Sequence, residues 1–279
     1  MGSRPRRAGG ALARTARAPV LAALFWLPVL LLASGEASGL PFQMLEYPSA
    51  ILVRPGGQEI KADYSVEADR IPTELLLLHY RYGLTPRLEV SGGATWAHFI
   101  QEHIERLAEV QATAKLRLAA APFQYQLTGY ARYREALGDP VIRSIKEGFE
   151  NVQGMVSRHA DGGKDASVGI LGRRTGRQHA YTVGLEYMNA STRNYGDFKA
   201  DQTDVYTLYF SPEEHFHHDL LMVALENRYS YWMNRGDFYD VVPQVRWEFV
   251  ENWVVETGVS IPVIGGQLYR YTIGITYQR

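Results

Sequence analysis

The stretch Tyr269-Arg270-Tyr271-Thr272-Ile273-Gly274-Ile275-Thr276-Tyr277 places aromatic or branched apolar residues at every odd position and Arg, Thr or Gly at every even one. Successive side chains of an extended chain point to opposite faces, so this is a strand with one apolar and one polar face. The pattern recurs upstream. Tyr181, Val183, Leu185 and Tyr187 alternate with Thr182, Gly184 and Glu186. Val245-Arg246-Trp247-Glu248-Phe249 repeats it, and Leu88 to Trp96 sets small or apolar even positions against Glu89, Ser91 and Thr95. Extended along the chain, this reading gives strands over 58–69, 73–84, 87–97, 111–119, 123–134, 165–174, 178–189, 203–211, 218–232, 240–250, 253–262 and 267–278. Their even number, about twelve, is what a single-chain barrel requires.

The connections alternate in length. Thr85-Pro86, 120–122, 175–177, 212–217 and 251–252 are short, whereas 98–110, 135–164 and 190–202 are long, with shorter ones at 70–72, 233–239 and 263–266. Transmembrane barrels join short periplasmic turns to longer outer loops, and a soluble sandwich has no reason to alternate this way. The expected fold is all-β: a transmembrane antiparallel up-and-down barrel. Hydrophobic residues at 46%, charged residues at 21% and a mean hydropathy of −0.22 look soluble. A barrel with an apolar outside and a polar inside averages to such values. A net charge of −1 argues against a nucleic-acid partner. With no Cys, disulfides, thiolate metal sites, a cysteine nucleophile and a lipidated N-terminal Cys are excluded.

Residues 1–19 carry Arg4, Arg6, Arg7, Arg14 and Arg17 and no acid; an apolar run from Val20 to Ala33 follows, then Ala33-Ser34-Gly35 and Ala37-Ser38-Gly39. This describes a secretory signal peptide, and the run is shorter than the roughly 20 residues of a spanning helix. The expected organisation is a signal over 1–39, cleaved near 35 or 39, an N-terminal periplasmic segment over 40–57, and a barrel over 58–279.

The last strand, through Thr272, Gly274 and Tyr277, resembles the terminal strand recognised by the outer-membrane insertion machinery, although the chain ends on Arg279 where that pattern ends on an aromatic. The hairpin from Tyr80 to Glu89 resembles those of porin-like and transporter-like proteobacterial outer-membrane barrels. The resemblance implies residence in a bacterial outer membrane, contact with its lipid and lipopolysaccharide, and delivery by the insertion machinery through the last strand.

Charges facing lipid cost about 2–4 kcal/mol each for Lys or Arg at mid-membrane, so charges out of phase with the apolar face point inward. The expected lining comprises Arg81, Glu89, Lys115, Arg117, Arg132, Glu186, Glu226, Arg228, Arg246, Glu248, Glu256 and Arg270. Two readings follow: a lumen plugged by Arg–Glu pairs, or a narrow passive channel whose basic excess favours small anionic solutes. Leu75, Leu77, Leu220 and Met222 in the inward phase hint at a constriction. The channel is the leading function, and a non-conducting structural or adhesion barrel working through its outer loops is the alternative. Val141, Ile142, Ile145, Phe149, Val152, Met155 and Val156 recur at helical spacing within 135–164, and Phe99, Ile100, His103, Ile104, Leu107 and Val110 do so within 98–110.

An outer-membrane lipid hydrolase ranks third. It needs a Ser activated by a His, and Ser157 with His159 matches no such motif. The chain is therefore not expected to be an enzyme. His215, His217 and His218 read as a solvated turn sooner than a metal site, and Asp197, Asp201 and Asp204 lack calcium-loop spacing. No cofactor or metal is expected.

Overall fold

The computed structural model describes residues 49–68, 73–100, 104–121, 125–137, 164–193, 200–216, 220–233, 236–264 and 269–279. They form β1 Gln58–Ala68, β2 Thr73–Thr85, β3 Leu88–Phe99, β4 Ile104–Ala121, β5 Tyr125–Ala136, β6 Lys164–Thr175, β7 His179–Arg193, β8 Ala200–Phe216, β9 Leu221–Trp232, β10 Gly236–Val250, β11 Trp253–Ile264 and β12 Tyr269–Gln278. Each strand pairs antiparallel with its chain neighbours, and β1 pairs with β12 to close the ring. Closure leaves no unpaired edge, the condition for strands in lipid. At the seam the Gln58 amide donates to the Arg279 carbonyl (2.9 Å), the reverse bond is 2.8 Å, and the Ser65 and Thr272 hydroxyls bond at 2.8 Å.

The two faces are inverted relative to a soluble barrel. On β1, Glu59, Lys61, Asp63, Ser65 and Glu67 are buried, whereas Ile60 and Tyr64 are exposed. On the other strands too the exposed face is apolar, with Leu76, Leu78, Leu116, Leu185, Trp247, Ile273 and Ile275 among its residues. Aromatics gather near strand ends: Trp253 stacks on Tyr277 (4.9 Å between ring centroids) at the end where β1 begins and β12 ends, and Tyr187 on Tyr206 (5.5 Å) toward the other. An apolar belt with aromatics at both rims is the outer surface of a membrane barrel. A membrane-spanning strand needs about 9–11 residues. With 18 and 17 residues, β4 and β8 carry the wall beyond the hydrocarbon.

About twelve strands were expected and the described residues form twelve, but the long connection 98–110 and the turn 212–217 are shorter than the pattern implied. Residues 104–110 are not a helix-like loop; they begin β4. Thr95 pairs with Glu109 and Trp96 with Leu107, leaving Ala108 as a buried bulge. The bulge slips the phase by one residue, so Leu107 and Val110 share the outer face at a spacing of three, which imitates a helix. Similarly, 212–216 is strand rather than turn. Pro212 has no amide proton; the β8–β9 pairing skips Ser211 and Pro212, while the β7–β8 pairing runs through them. The expected stripe over 141–156 and the expected signal lie outside the described residues.

Candidate functional site: the occupied lumen

Residues 49–57, the described part of the segment expected on the periplasmic side, turn into the barrel from the end where β1 begins and β12 ends. Gly56 adopts φ +73°, which favours glycine, and its amide donates to the Gly83 carbonyl at 2.8 Å. A Cβ on Gly83 would lie 2.1 Å from the Arg54 carbonyl oxygen, so only glycine admits this approach. Upstream, the Val53 amide donates to Glu89 Oε2 (2.7 Å), Arg81 Nη2 donates to the Ile51 carbonyl (2.9 Å), and the Thr128 hydroxyl donates to the Ala50 carbonyl (2.6 Å). Ala50 packs in an apolar cluster with Tyr130, Leu171 and Tyr209, and Leu52 is buried. Gly169 and Gly184 make the cluster possible: a Cβ there would meet the Tyr130 ring at 2.5 Å and Leu171 Cδ2 at 2.4 Å. Chain and barrel thus share one core that lies across the lumen.

Around it the inner wall carries charges in matched sets. Arg81 donates to Glu89 through Nε and Nη2 (2.9 Å each) and to Glu59 through Nη1 (2.7 Å), and Lys115 Nζ reaches Glu89 at 3.0 Å. Lys61 pairs with Asp63 (3.1 Å) and with Glu256. Gly274 leaves room for that set, since a Cβ would strike Asp63. Arg132 and the Tyr130 hydroxyl both donate to Glu186 (2.9 and 2.5 Å). Arg134 pairs with Asp165 and with Glu109 (3.4 Å). Arg228 donates to Asp240 (2.7 Å from Nε), and Arg173 pairs with Glu213. Arg270 stands 3.9 Å from Glu67. Ions taken out of water persist only when opposite charges and hydrogen bonds replace their hydration.

All twelve residues expected to line the lumen fall on the inner face by strand register. Arg81, Glu89, Lys115, Glu186, Glu226, Arg246 and Glu256 are buried, and Arg117, Arg132, Arg228, Glu248 and Arg270 are half-buried. The structure gathers Arg81, Glu89 and Lys115 into one set and Arg132 with Glu186 into another. Arg117 stands on β4, opposite Thr128, outside those sets. Leu75 and Met222 are buried on the inner wall, but Leu220 is 47% exposed in the turn before β9 and constricts nothing. His215 lies within β8, buried, with Nε2 3.6 Å from Glu213 Oε2.

Several partners were not among the expected lining residues: Glu59, Glu109, Asp165, Glu213 and Asp240. Glu109 and Glu213 fell in stretches read as loop or turn, and Asp165 and Asp240 at the first residue of a strand. Tyr130 was discoverable, since it sits out of phase with Tyr125, Leu127 and Tyr133. Nothing in the period-two pattern signals that 49–53 enters the lumen.

No protein-family model matches the chain, and no curated protein matches it in sequence. Among solved structures it is similar to the COG4313 outer membrane channel from Pseudomonas putida F1, with a TM-score of 0.62 at 8% identity over 85% of this chain and 100% of that one. It also aligns with the KdgM porin, with a TM-score of 0.46 at 15% identity over 78% of this chain and 98% of that one. The closed ring of twelve antiparallel strands, the apolar belt, the charged interior and the first of these likenesses together give the chain the fold of an integral outer-membrane β-barrel.

Proposed function

We propose that the barrel is a narrow passive channel for small solutes, with a modest preference for anions, and that the segment 49–53 closes it in the state described. The observation that carries the reading is how the lumen is blocked. Among the described residues the obstruction is one stretch of chain, held by hydrogen bonds from Arg81, from Thr128 and to Glu89 and by one small apolar cluster. An obstruction held in its seat by noncovalent contacts can leave, and what it leaves behind is a polar, charged wall. The anion preference rests on fewer residues. Most inward acids are tied to bases, whereas Arg117, half-buried on the inner wall opposite Thr128, stands outside those sets. Rings of Arg and Lys are how anion pores select. The likeness to an outer membrane channel supports the same reading.

The matched charge sets also support a second reading, a barrel that never conducts. Single-channel recording of refolded protein lacking residues 1–39, in a planar bilayer, separates them. Discrete steps with an anion-biased reversal potential are expected. Silence from protein shown to be folded by its heat-modifiable gel shift would overturn the channel in favour of the sealed barrel.

A further inference from the structure

The wall grips residues 49–53 by their main chain. The Thr128 hydroxyl, on β5, donates to the Ala50 carbonyl (2.6 Å), Arg81 Nη2, on β2, donates to the Ile51 carbonyl (2.9 Å), and Glu89 Oε2, on β3, accepts from the Val53 amide (2.7 Å). None of these three bonds depends on a side chain of the segment. The three wall residues are each 4% exposed or less. Arg81 and Glu89 are also bound to each other, to Glu59 and to Lys115, so the wall itself sets their positions before anything is seated. The seated chain bends at Ala50 and Ile51, where the Ile51 amide donates to Ser49 Oγ (3.1 Å).

Donors for two neighbouring carbonyls and an acceptor for an amide two residues on match a peptide main chain. An anion in the same place would lie against Glu89. A hydrocarbon would leave three buried polar groups unmet, which is costly. One side chain is read as well. Ala50 packs among Tyr130, Leu171 and Tyr209, a cluster so close that a Cβ on Gly169 would strike Tyr130 and one on Gly184 would strike Leu171. That pocket admits a small apolar side chain. What the wall recognises is a short piece of main chain with one small residue at a bend, and a peptide from outside the chain can carry both.

We propose that this seat is a binding site for short peptides that bend at a small apolar residue, and that residues 49–53 occupy it as an internal substitute for such a peptide. As a transported class the peptides rest on the channel proposed above; their binding rests on the seat alone. The internal segment is joined to β1 through 54–57, and a short tether gives it an effective concentration on the order of millimolar. A free peptide therefore enters readily only when the segment is out of its seat.

Fluorescence polarisation tests it, with refolded protein lacking residues 1–39 in detergent. The probe is the peptide Ser-Ala-Ile-Leu-Val-Arg-Pro, the sequence of residues 49–55, acetylated at one end and labelled at the other. In the protein, Ala50→Glu brings a charge to the apolar pocket and unseats the internal segment while leaving the wall intact; Leu52→Glu, at a second buried position, does so independently. Both variants should keep the folded gel shift. Each should bind the probe saturably, with displacement by unlabelled peptide, and about tenfold or more tightly than the parent, whose own segment competes. The same peptide with Glu for Ala should bind about tenfold or more weakly. Thr128→Val added to an unseated variant should weaken binding about two- to tenfold, the loss of one neutral hydrogen bond. No saturable binding to either unseated variant, or equal binding of the two peptides, overturns the proposal. Displacement by a neutral oligosaccharide such as maltotetraose as readily as by the peptide overturns the peptide assignment. Conductance without peptide binding removes the peptide site and leaves the channel; binding without conductance removes the channel and leaves the site.

Discussion

Glu89 is the residue on which the occupied lumen turns, and Glu89→Gln measures how dry that lumen is. The side chain is 0% exposed. Oε1 accepts from Arg81 Nε (2.9 Å) and Lys115 Nζ (3.0 Å), and Oε2 from Arg81 Nη2 (2.9 Å) and the Val53 amide (2.7 Å). A Gln of the same shape has one acceptor end and one donor end, so one of these pairs of donors meets another donor. Hydrogen bonds to charged groups contribute about 1.5–3 kcal/mol and neutral ones about 0.5–1.5 kcal/mol. Breaking a buried ion pair by neutralising one partner costs about 3–5 kcal/mol. Arg81 keeps Glu59 at 2.7 Å and the Ile51 carbonyl at 2.9 Å, which puts the expected cost near the lower end, about 3 kcal/mol. Urea unfolding in lipid vesicles, followed by tryptophan fluorescence, reads it. Glu89→Gln/Lys115→Met, which removes the stranded cation as well, should recover about 1 kcal/mol or more. A loss of about 1 kcal/mol or less for Glu89→Gln is what a solvated surface pair gives. That result would refute the sealed interior and mean that water reaches the set.

Three further outcomes are expected. Leu185→Arg and Ile273→Arg, at outward positions 51% and 54% exposed, should each cost about 2–4 kcal/mol of insertion stability, whereas Arg117→Gln should fold nearly as well as the parent; equal effects on both faces in a refolding titration would contradict the register. The chain has no Cys, so Ala50→Cys/Thr128→Cys can tether the segment where the Thr128 hydroxyl meets the Ala50 carbonyl. Oxidised protein should be silent in a planar bilayer and reduced protein should conduct, and identical traces would show that the segment does not close the lumen. Gly184→Ala places a Cβ 2.4 Å from Leu171 Cδ2 and 3.0 Å from Tyr209 Cδ2; overpacking of this kind costs about 1–3 kcal/mol, and an unchanged unfolding midpoint would mean that the cluster is loose.

The strands were legible because the membrane enforces the alternation: an outward charge is too costly to keep, so the period of two survives along most of each strand. It failed where the backbone leaves that period. The bulge at Ala108 shifted the phase and made Leu107 and Val110 look helical. Pro212, with Glu213, Glu214 and His215 after it, looked like a turn although one of its two ladders runs unbroken. The inner face of the site was legible by the same logic, residue by residue. The pairing was not, because opposite charges meet across strands remote in sequence, as Lys61 meets Glu256. Least legible was the segment 49–53. Its place depends on a seat built by β2, β3, β5, β6 and β8, and no local pattern announces a seat.

That dependence has a kinetic consequence. The ring closes when β1 meets β12, joining residues as far apart as Ser65 and Thr272, 207 positions along the chain. Contacts of such separation form slowly. The seat for Ala50, made of Thr128, Tyr130, Leu171 and Tyr209, comes from strands on both sides of the middle of the chain, so a sheet that has not yet curled presents only pieces of it. The segment can therefore dock only late, at or after ring closure, and until then its backbone stays open to protease. The time at which a cleavage site near Ile51 becomes protected is a clock for the last step of assembly.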